Sequence, residues 1–368
     1  MIRTLDRHLL RSFISNYVLS LFVLISLYVV LDLFVNFDEF TEGGKPVGTV
    51  IYNIYDYYRY NMPLYFSQLS GVITLFAACG TLARLQRQNE ITAVLASGTS
   101  LYRLVAPIIL AGLVMNGLLV LDHELLLPRV AAKLARARDD VEGARIYDVW
   151  CVKEGDSRLV SALQFSPAKK KIRNLIVMEL STDPQTRGQM QDVVVADWAY
   201  WDARRHGWIL DRGVRISEAS SGGVWARGGS LTGTRVDFYP SELSPEDLLL
   251  RKTAQWLRFL SVGQLDRLEK RGDADPGQVA HVKHGRFTLP INNIILLLLG
   301  ISFFMNRLPG SVLTQGAKAL TACSVAFLVT FVGQQLVGSA GFSPALPAWL
   351  PIFVFGPLVV VLLDNVKT

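Results

Sequence analysis

Residues 12–31 read SFISNYVLSLFVLISLYVVL, a stretch without a single charge between Arg11 and Asp32. A helix needs about 20 predominantly apolar residues to cross a bilayer. The same absence of charge recurs from Arg59 to Arg84, from Arg103 to Asp122 and from Arg286 to Arg307. A longer charge-free run, Lys318 to Asp364, is broken by VGSAGFSPALP at 337–347 and holds two spans and a turn. The reading is six transmembrane helices, at about 12–35, 60–83, 104–126, 287–306, 317–337 and 346–363. Composition agrees: 51% of the 368 residues are hydrophobic and 18% charged, against about 25% charged in soluble domains.

Short-loop Lys and Arg set the expected orientation. Arg3, Arg7 and Arg11 precede the first span; Arg84, Arg87 and Arg103 flank the loop after the second; Arg307 and Lys318 follow the fourth. The first loop instead balances Lys45 and Arg59 with Asp38, Glu39, Glu42 and Asp56. Both termini are therefore expected in the cytoplasm. The first span is too long for a signal peptide and lacks a small-residue cleavage site, so it reads as an anchor. Cys79 and Cys323 fall inside spans and Cys151 is alone outside, so no disulfide framework is expected. The net charge of +6 follows from the basic inner loops and is not read as nucleic-acid binding.

Between the third and fourth spans lies a soluble block, 127–285, expected outside the cytoplasm. From 146 the apolar period shifts towards two. Strands are read in IYDVWCVK, RLVSALQF, KIRNLIVMEL, MQDVVVADWAYW, GWILDRGVRI and TRVDFYP, separated by EGDS, SPAKK, STDPQTRG, DARRHG and ASSGG. Short strands with such turns suggest an antiparallel sandwich or an open roll. Alternation puts Trp198 and Tyr200 on one face and Trp201 on the other. The lysine run AKKKIR, 168–173, reads as a solvated turn that could also touch anionic head groups. Two short helices follow near 245–271, with Ser244 capping the first and Ser261 with Gln264 boxing the second. RGDADPGQ then reads as a flexible link.

Several chemistries are excluded. GGKP at 43–46 lacks the upstream glycine and following Ser or Thr of a phosphate-binding loop. DHELLLPR at 122–129 has His-Glu without a second His, and no CxxC pair occurs. Ser67, Ser70, Ser302 and Ser324 lie in spans without a base at their depth, and with Asn116, Asn292 and Asn293 they suit helix packing. No catalytic residue, cofactor or metal site is expected. A chain with a large membrane part and no energy source must draw work from a partner.

QRQNEITAVLASGTSLYRL, 86–104, is the most patterned segment on the inner side after the amino terminus. A short helix is expected over about 86–97, with the stripe Ile91, Val94, Leu95 and Gly98 beside Arg87 and Glu90. That stripe can pack on a partner ATPase or on the ends of the chain's own spans.

With these residues the sequence resembles the LptF/LptG (YjgP/YjgQ) permeases of the lipopolysaccharide export ABC transporter. LDRHLLRSF directly before a span, NEITAVLASGTSLYRLVAPIIL, ELSPEDL followed by a second short helix, HVKHGRFTLPINNIILLLLGI and LPAWLPIFVF carry the resemblance in order, over nearly the full length. DLFVNFDEF leans towards the LptG side. The resemblance implies a cell inner-membrane protein with three spans on each side of an inserted periplasmic β-jellyroll-like domain. It implies a partner permease of the same family, a dimer of LptB-like cytoplasmic ATPase subunits, LptC/LptA-like bridge components, and lipopolysaccharide or a related glycolipid as cargo. Arg87, Glu90, Ile91, Val94, Leu95 and Gly98 would then couple to the ATPase. The family can place a cation near the outer end of the first span. Here Asp32, Asp38 and Glu39 stand there, leaving Lys45 and Arg59 as candidate head-group contacts. A non-transporting coupler that relays ATPase motion outward is the alternative; an intramembrane enzyme or sensor is argued against by the lack of an acid–base pair at depth.

Overall fold

The computed structural model describes residues 4–41, 46–136, 138, 145–181, 183, 188–217, 233–253, 255–305, 311–335, 343 and 345–364. Among the described residues, six helical segments are long and apolar enough to cross a membrane. In chain order the first helices are α1 (Thr4–Val35), α2 (Phe37–Thr41), α3 (Val47–Arg87), α4 (Glu90–Ala96), α5 (Leu101–Leu121) and α6 (Leu127–Leu134). A π-helical turn, Asp122–Leu126, joins the last two. After the β-strands come α7 (Pro245–Arg251), α8 (Val262–Arg271), α9 (Pro276–Ser302), α10 (Val312–Gln335) and α11 (Leu346–Asp364). The chain forms two compact units: Met1–Val35, Met62–Leu126 and Ala280–Thr368 make the first, Asn36–Asn61 and Leu127–Val279 the second.

The helical unit is held by small residues and a few buried polar ties. A Cβ on Gly71 would stand 2.3 Å from Asn293 Oδ1, one on Gly112 2.4 Å from Leu297, and one on Gly300 2.2 Å from Leu75. Glycine therefore sets how closely α3 and α5 approach α9, the small-residue logic of helix association in lipid. Asn293 Nδ2 donates to Ser70 Oγ at 3.1 Å, and Asn16 Nδ2 to Thr81 Oγ1 at 2.9 Å. Ser302 instead bonds back to Leu298 O at 2.7 Å. One buried cluster joins Leu9 and Phe13 of α1, Leu82 and Leu85 of α3, Leu101 and Leu104 of α5, and Leu297 and Ile301 of α9. A second joins Leu75, Leu299, Cys323, Phe355 and Val359.

The second unit is an antiparallel sheet of β1 (Tyr147–Glu154), β2 (Arg158–Ser166), β3 (Lys171–Leu180), β4 (Met190–Asp202), β5 (Gly207–Asp211), β6 (Val214–Ser217), β7 (Gly233–Arg235) and β8 (Phe238–Pro240). Strands pair in sequence order from β1 to β5, β8 borders β5, and β6 pairs with β4 and β7. This is a meander, the simplest outcome of short hairpin turns. GWILDRGVRI, read as one strand, is divided. β5 and β6 keep one register along β4, Trp198 opposite Asp211 and Val195 opposite Val214, but Arg212 takes φ 54. A Cβ on Gly213 would lie 2.1 Å from Val236 O, so the break between the two strands calls for a glycine where another backbone comes close.

One face of the sheet carries Phe165, Ile172, Leu175, Val177, Ala199 and Trp208, with Leu248 and Leu249 of α7 in the same core. Trp201 meets Trp208 edge-on at 5.2 Å, while Trp198 and Tyr200 lie beside Lys171, as alternation requires. Glu154 is 5% exposed and accepts from Tyr239 Oη at 2.8 Å, Ser241 Oγ at 2.6 Å and the Glu242 amide at 2.8 Å. Burial, and next the Glu154 carboxylate, push the Tyr239 phenol above its ordinary value.

Ser244 and Asp247 form a capping box on α7, and Ser261 with Gln264 on α8; Gly272, φ 70, ends α8. The segment after it is not a flexible link at its start. Asp273 pairs with Arg251 at 3.3 Å, the two side chains 6% and 8% exposed. Its Oδ1 also accepts from the Gly155 amide at 2.6 Å. A doubly engaged buried carboxylate fixes the chain there, three residues before α9 begins at Pro276.

Candidate functional site

α4 is seven residues long and opens without a side-chain cap. Isolated helices shorter than about 12–15 residues are marginal in water, so its order comes from packing. Asn89 at φ 57 breaks the chain away from α3, and Gly98 at φ 76 turns it towards α5. Ser97 Oγ donates to Val94 O at 2.7 Å and closes the last turn. The helix is shorter than the 86–97 expected from the pattern. Arg87 belongs to the last turn of α3, because the left-handed Asn89 ends the helical run in between.

The apolar stripe has an internal partner. Ile91 is 7% exposed and lies in the buried cluster with Leu9, Leu85, Leu101 and Leu104, and Val94 and Leu95 pack against it. Glu90 Oε2 stands 3.6 Å from His8 Nε2 of α1. Gly98 has open space around it. Arg87, Gln88, Thr92, Ala93, Ala96 and Ser97 are exposed. The structure thus brings Glu90, Ile91, Val94 and Leu95 onto the bundle and leaves Arg87 and Gly98 at its surface. A small exposed face, Thr92, Ala93 and Ala96, is presented on a helix whose other face is part of the core shared by α1, α3 and α5.

A polar cluster closes the far end of α5, and the sequence reading passed over it. Asp122 is 2% exposed, and Asp122 Oδ2 and both ring nitrogens of His123 are buried without a hydrogen-bond partner. Arg286 Nη1 lies 3.5 Å from His123 O. DHE at the end of one charge-free run and Arg286 at the start of the next were the available signal. The cluster sits in the π-helical turn, where an inserted residue widens the helix.

In the second unit, Arg59 is exposed, its guanidinium 5.7 Å from the Tyr60 ring; Lys45 lies outside the described residues. Arg59 has company that lies far away in sequence. Lys133 stands 3.7 Å over the Tyr60 ring and also bonds the Tyr60 hydroxyl. Arg138 lies 5.4 Å from the Tyr57 ring, donates to Tyr57 Oη at 3.2 Å, and pairs with Glu39 at 3.6 Å. Three cations therefore gather around two tyrosines, each held by cation–π contact. Among the described residues no group of three or more His, Cys, Asp or Glu could hold a metal ion.

From Val18 to Val35 no residue of α1 is buried, and Phe22 is 71% and Phe34 86% exposed. Such an apolar surface belongs against acyl chains or another apolar helix. The sequence profile of the lipopolysaccharide export system permease LptF/LptG matches residues 7–365. The chain belongs to the LptF/LptG family. It is a permease of the lipopolysaccharide export ABC transporter, a multi-pass inner-membrane protein with an inserted antiparallel β-domain. A search of curated proteins finds no match. The match is to LptF and LptG together, so the lean towards LptG finds no separate support. The family transports lipid, and the reading as a non-transporting coupler drops away.

Proposed function

We propose that this LptF/LptG permease receives the stroke of a cytoplasmic, LptB-like ATPase dimer at α4. Working with a second permease of its family, it moves lipopolysaccharide towards LptC/LptA-like bridge components. The observation that carries this is the two-sidedness of α4: Ile91, Val94 and Leu95 built into the core, Thr92, Ala93 and Ala96 bare. A docking helix needs both halves, one to be pushed and one to push with. Arg84, Arg87 and Arg103 around it support a cytoplasmic location, since basic short loops stay on that side.

In the same reading, the β-domain faces the periplasm and α1 offers its bare length to cargo acyl chains or to the partner permease. Arg59, Lys133 and Arg138, with Lys45 nearby in sequence, take the phosphorylated head group. Charge-assisted bonds to phosphate are about twice as strong as neutral ones, and the tyrosine contacts hold the cations ready.

The test is site-specific photocrosslinking in the intact complex in membranes. A crosslinker at Ala93 is expected to trap an ATPase subunit, and one at Leu163 of β2 is not. Capture of the ATPase from Leu163 but not from Ala93 would overturn both the docking assignment and the orientation.

A further inference from the structure

The outer face of the β-sheet carries a cluster that the transport reading leaves unused. Lys171 sits directly across from Tyr200 and Arg173 from Trp198. Lys171 Nζ lies 3.5 Å over the Trp198 ring and 5.1 Å from the Tyr200 ring, and Arg173 Cζ 5.4 Å from Trp198. Tyr200 is 41% exposed. Among the described residues neither Lys171 nor Arg173 pairs with a carboxylate. Asp211, opposite Trp198, is the acid nearest in the register, and Asp197 is engaged by Arg212 at 3.2 Å.

Two turns extend the positive charge at this end of the sheet. Lys169 and Lys170 of the β2–β3 turn and Arg204 and Arg205 of the β4–β5 turn are exposed. Lys170 O accepts from the Trp201 amide at 3.1 Å, so the first turn is fastened to the end of β4. Asp202, 3.9 Å from Arg205, offsets part of it.

We propose that this face is a binding site for an anionic saccharide, a sugar bearing phosphate or carboxylate such as a glycolipid head group presents. Three features point to that chemistry. Residues two apart on a strand are about 7 Å apart, so Lys171 and Arg173 can each meet a separate anionic substituent. Cation–π contact with Trp198 holds both before the ligand arrives, which lowers the entropy lost in ordering them. The half-exposed Tyr200 ring offers a flat negative face to the weakly positive C–H side of a pyranose. The site rests on the lipopolysaccharide reading above and deepens it: the saccharide would be steadied on the outside of the domain.

The test uses the full-length protein in nanodiscs of zwitterionic lipid. The probes are delipidated phosphorylated core oligosaccharide, intact lipopolysaccharide, inorganic phosphate, and vesicles rich in anionic phospholipid. Lys171→Gln/Arg173→Gln is expected to weaken oligosaccharide binding at least about tenfold, two charge-assisted contacts being lost, with the thermal melt unchanged. Tyr200→Ala is expected to weaken it about threefold, the size of one exposed aromatic contact. Unchanged binding in the double variant overturns the proposal. So does inorganic phosphate that competes as well as the oligosaccharide, or vesicle binding lost in the same variants, which would make the face a plain anion or membrane patch. Binding of intact lipopolysaccharide without the oligosaccharide defeats this site alone; binding of neither defeats the transport reading as well.

Discussion

Replacing Ile91 with alanine should detach α4 from the bundle. The side chain is 7% exposed and shares a buried cluster with residues of α1, α3 and α5. Truncating a buried isoleucine to alanine costs about 2–5 kcal/mol, the spread reflecting how far the site can collapse. In a long helix that loss is shared. Here it falls on seven residues without a side-chain cap, a length that does not stand alone in water. The local opening energy of α4 should therefore drop by most of that amount. At 1.4 kcal/mol per tenfold, a loss of about 2–4 kcal/mol speeds amide exchange over 90–96 by roughly thirtyfold to a thousandfold. The assay is hydrogen exchange read by mass spectrometry on the protein in nanodiscs, with Thr92→Ala on the exposed face as control. Transport per ATP hydrolysed in the reconstituted complex should fall in step, while Thr92→Ala keeps both near the parent. If Ile91→Ala leaves exchange over α4 unchanged, packing is not what orders this helix. If exchange rises but transport per ATP does not fall, α4 is not the transmitting element.

Two further outcomes follow from the packing of the two units. Gly71→Ala places a Cβ at 2.3 Å from Asn293 Oδ1 and must displace that side chain from Ser70; thermal denaturation in detergent should show a loss of about 1–3 kcal/mol, and an unaltered midpoint would mean that α3 and α9 yield freely. Tyr239 holds its proton more tightly folded than unfolded, so its stabilisation is fully present below the unfolded value of about 10 and is lost as pH rises above it; Tyr239→Phe should flatten alkaline destabilisation of the β-domain, followed by near-ultraviolet circular dichroism.

The apolar helices were legible because a span advertises itself: lipid demands a run without charge, and such runs need no knowledge of their neighbours. Their full lengths were less so. α3 begins at Val47, well before the apolar run, because Tyr52, Tyr55, Tyr57 and Tyr58 continue the helix with mixed polarity. Strand alternation fixed which face takes Trp201 and which takes Trp198, since that depends only on a period of two. It could not show the break at Arg212 and Gly213, which answers to the approach of Val236 O from the link between β7 and β8. The coupling stripe was visible as spacing, but its partner was left open between ATPase and own core; only tertiary contact puts Ile91 among Leu85 and Leu101. The cations around Tyr57 and Tyr60 were hidden for the same reason. Lys133 and Arg138 come from beyond the third span, and nothing local to Arg59 announces them. Asp122 and Arg286 lie at the margins of charge-free runs, where a span count reads only a boundary.

The central claim is that ATP hydrolysis by a partner reaches the lipid through α4. Its most direct test is Glu90→Arg in the purified complex, with the ATPase subunit bound and lipopolysaccharide release to the bridge followed together with phosphate release. The substitution removes the contact with His8, 3.6 Å away, and reverses the charge at the start of the helix, where its dipole favours an acid. The account predicts a correctly inserted complex that hydrolyses ATP while releasing at least about tenfold less lipid per ATP, a loss of about 1.4 kcal/mol in coupling. Lipid release per ATP equal to that of the parent complex would contradict it.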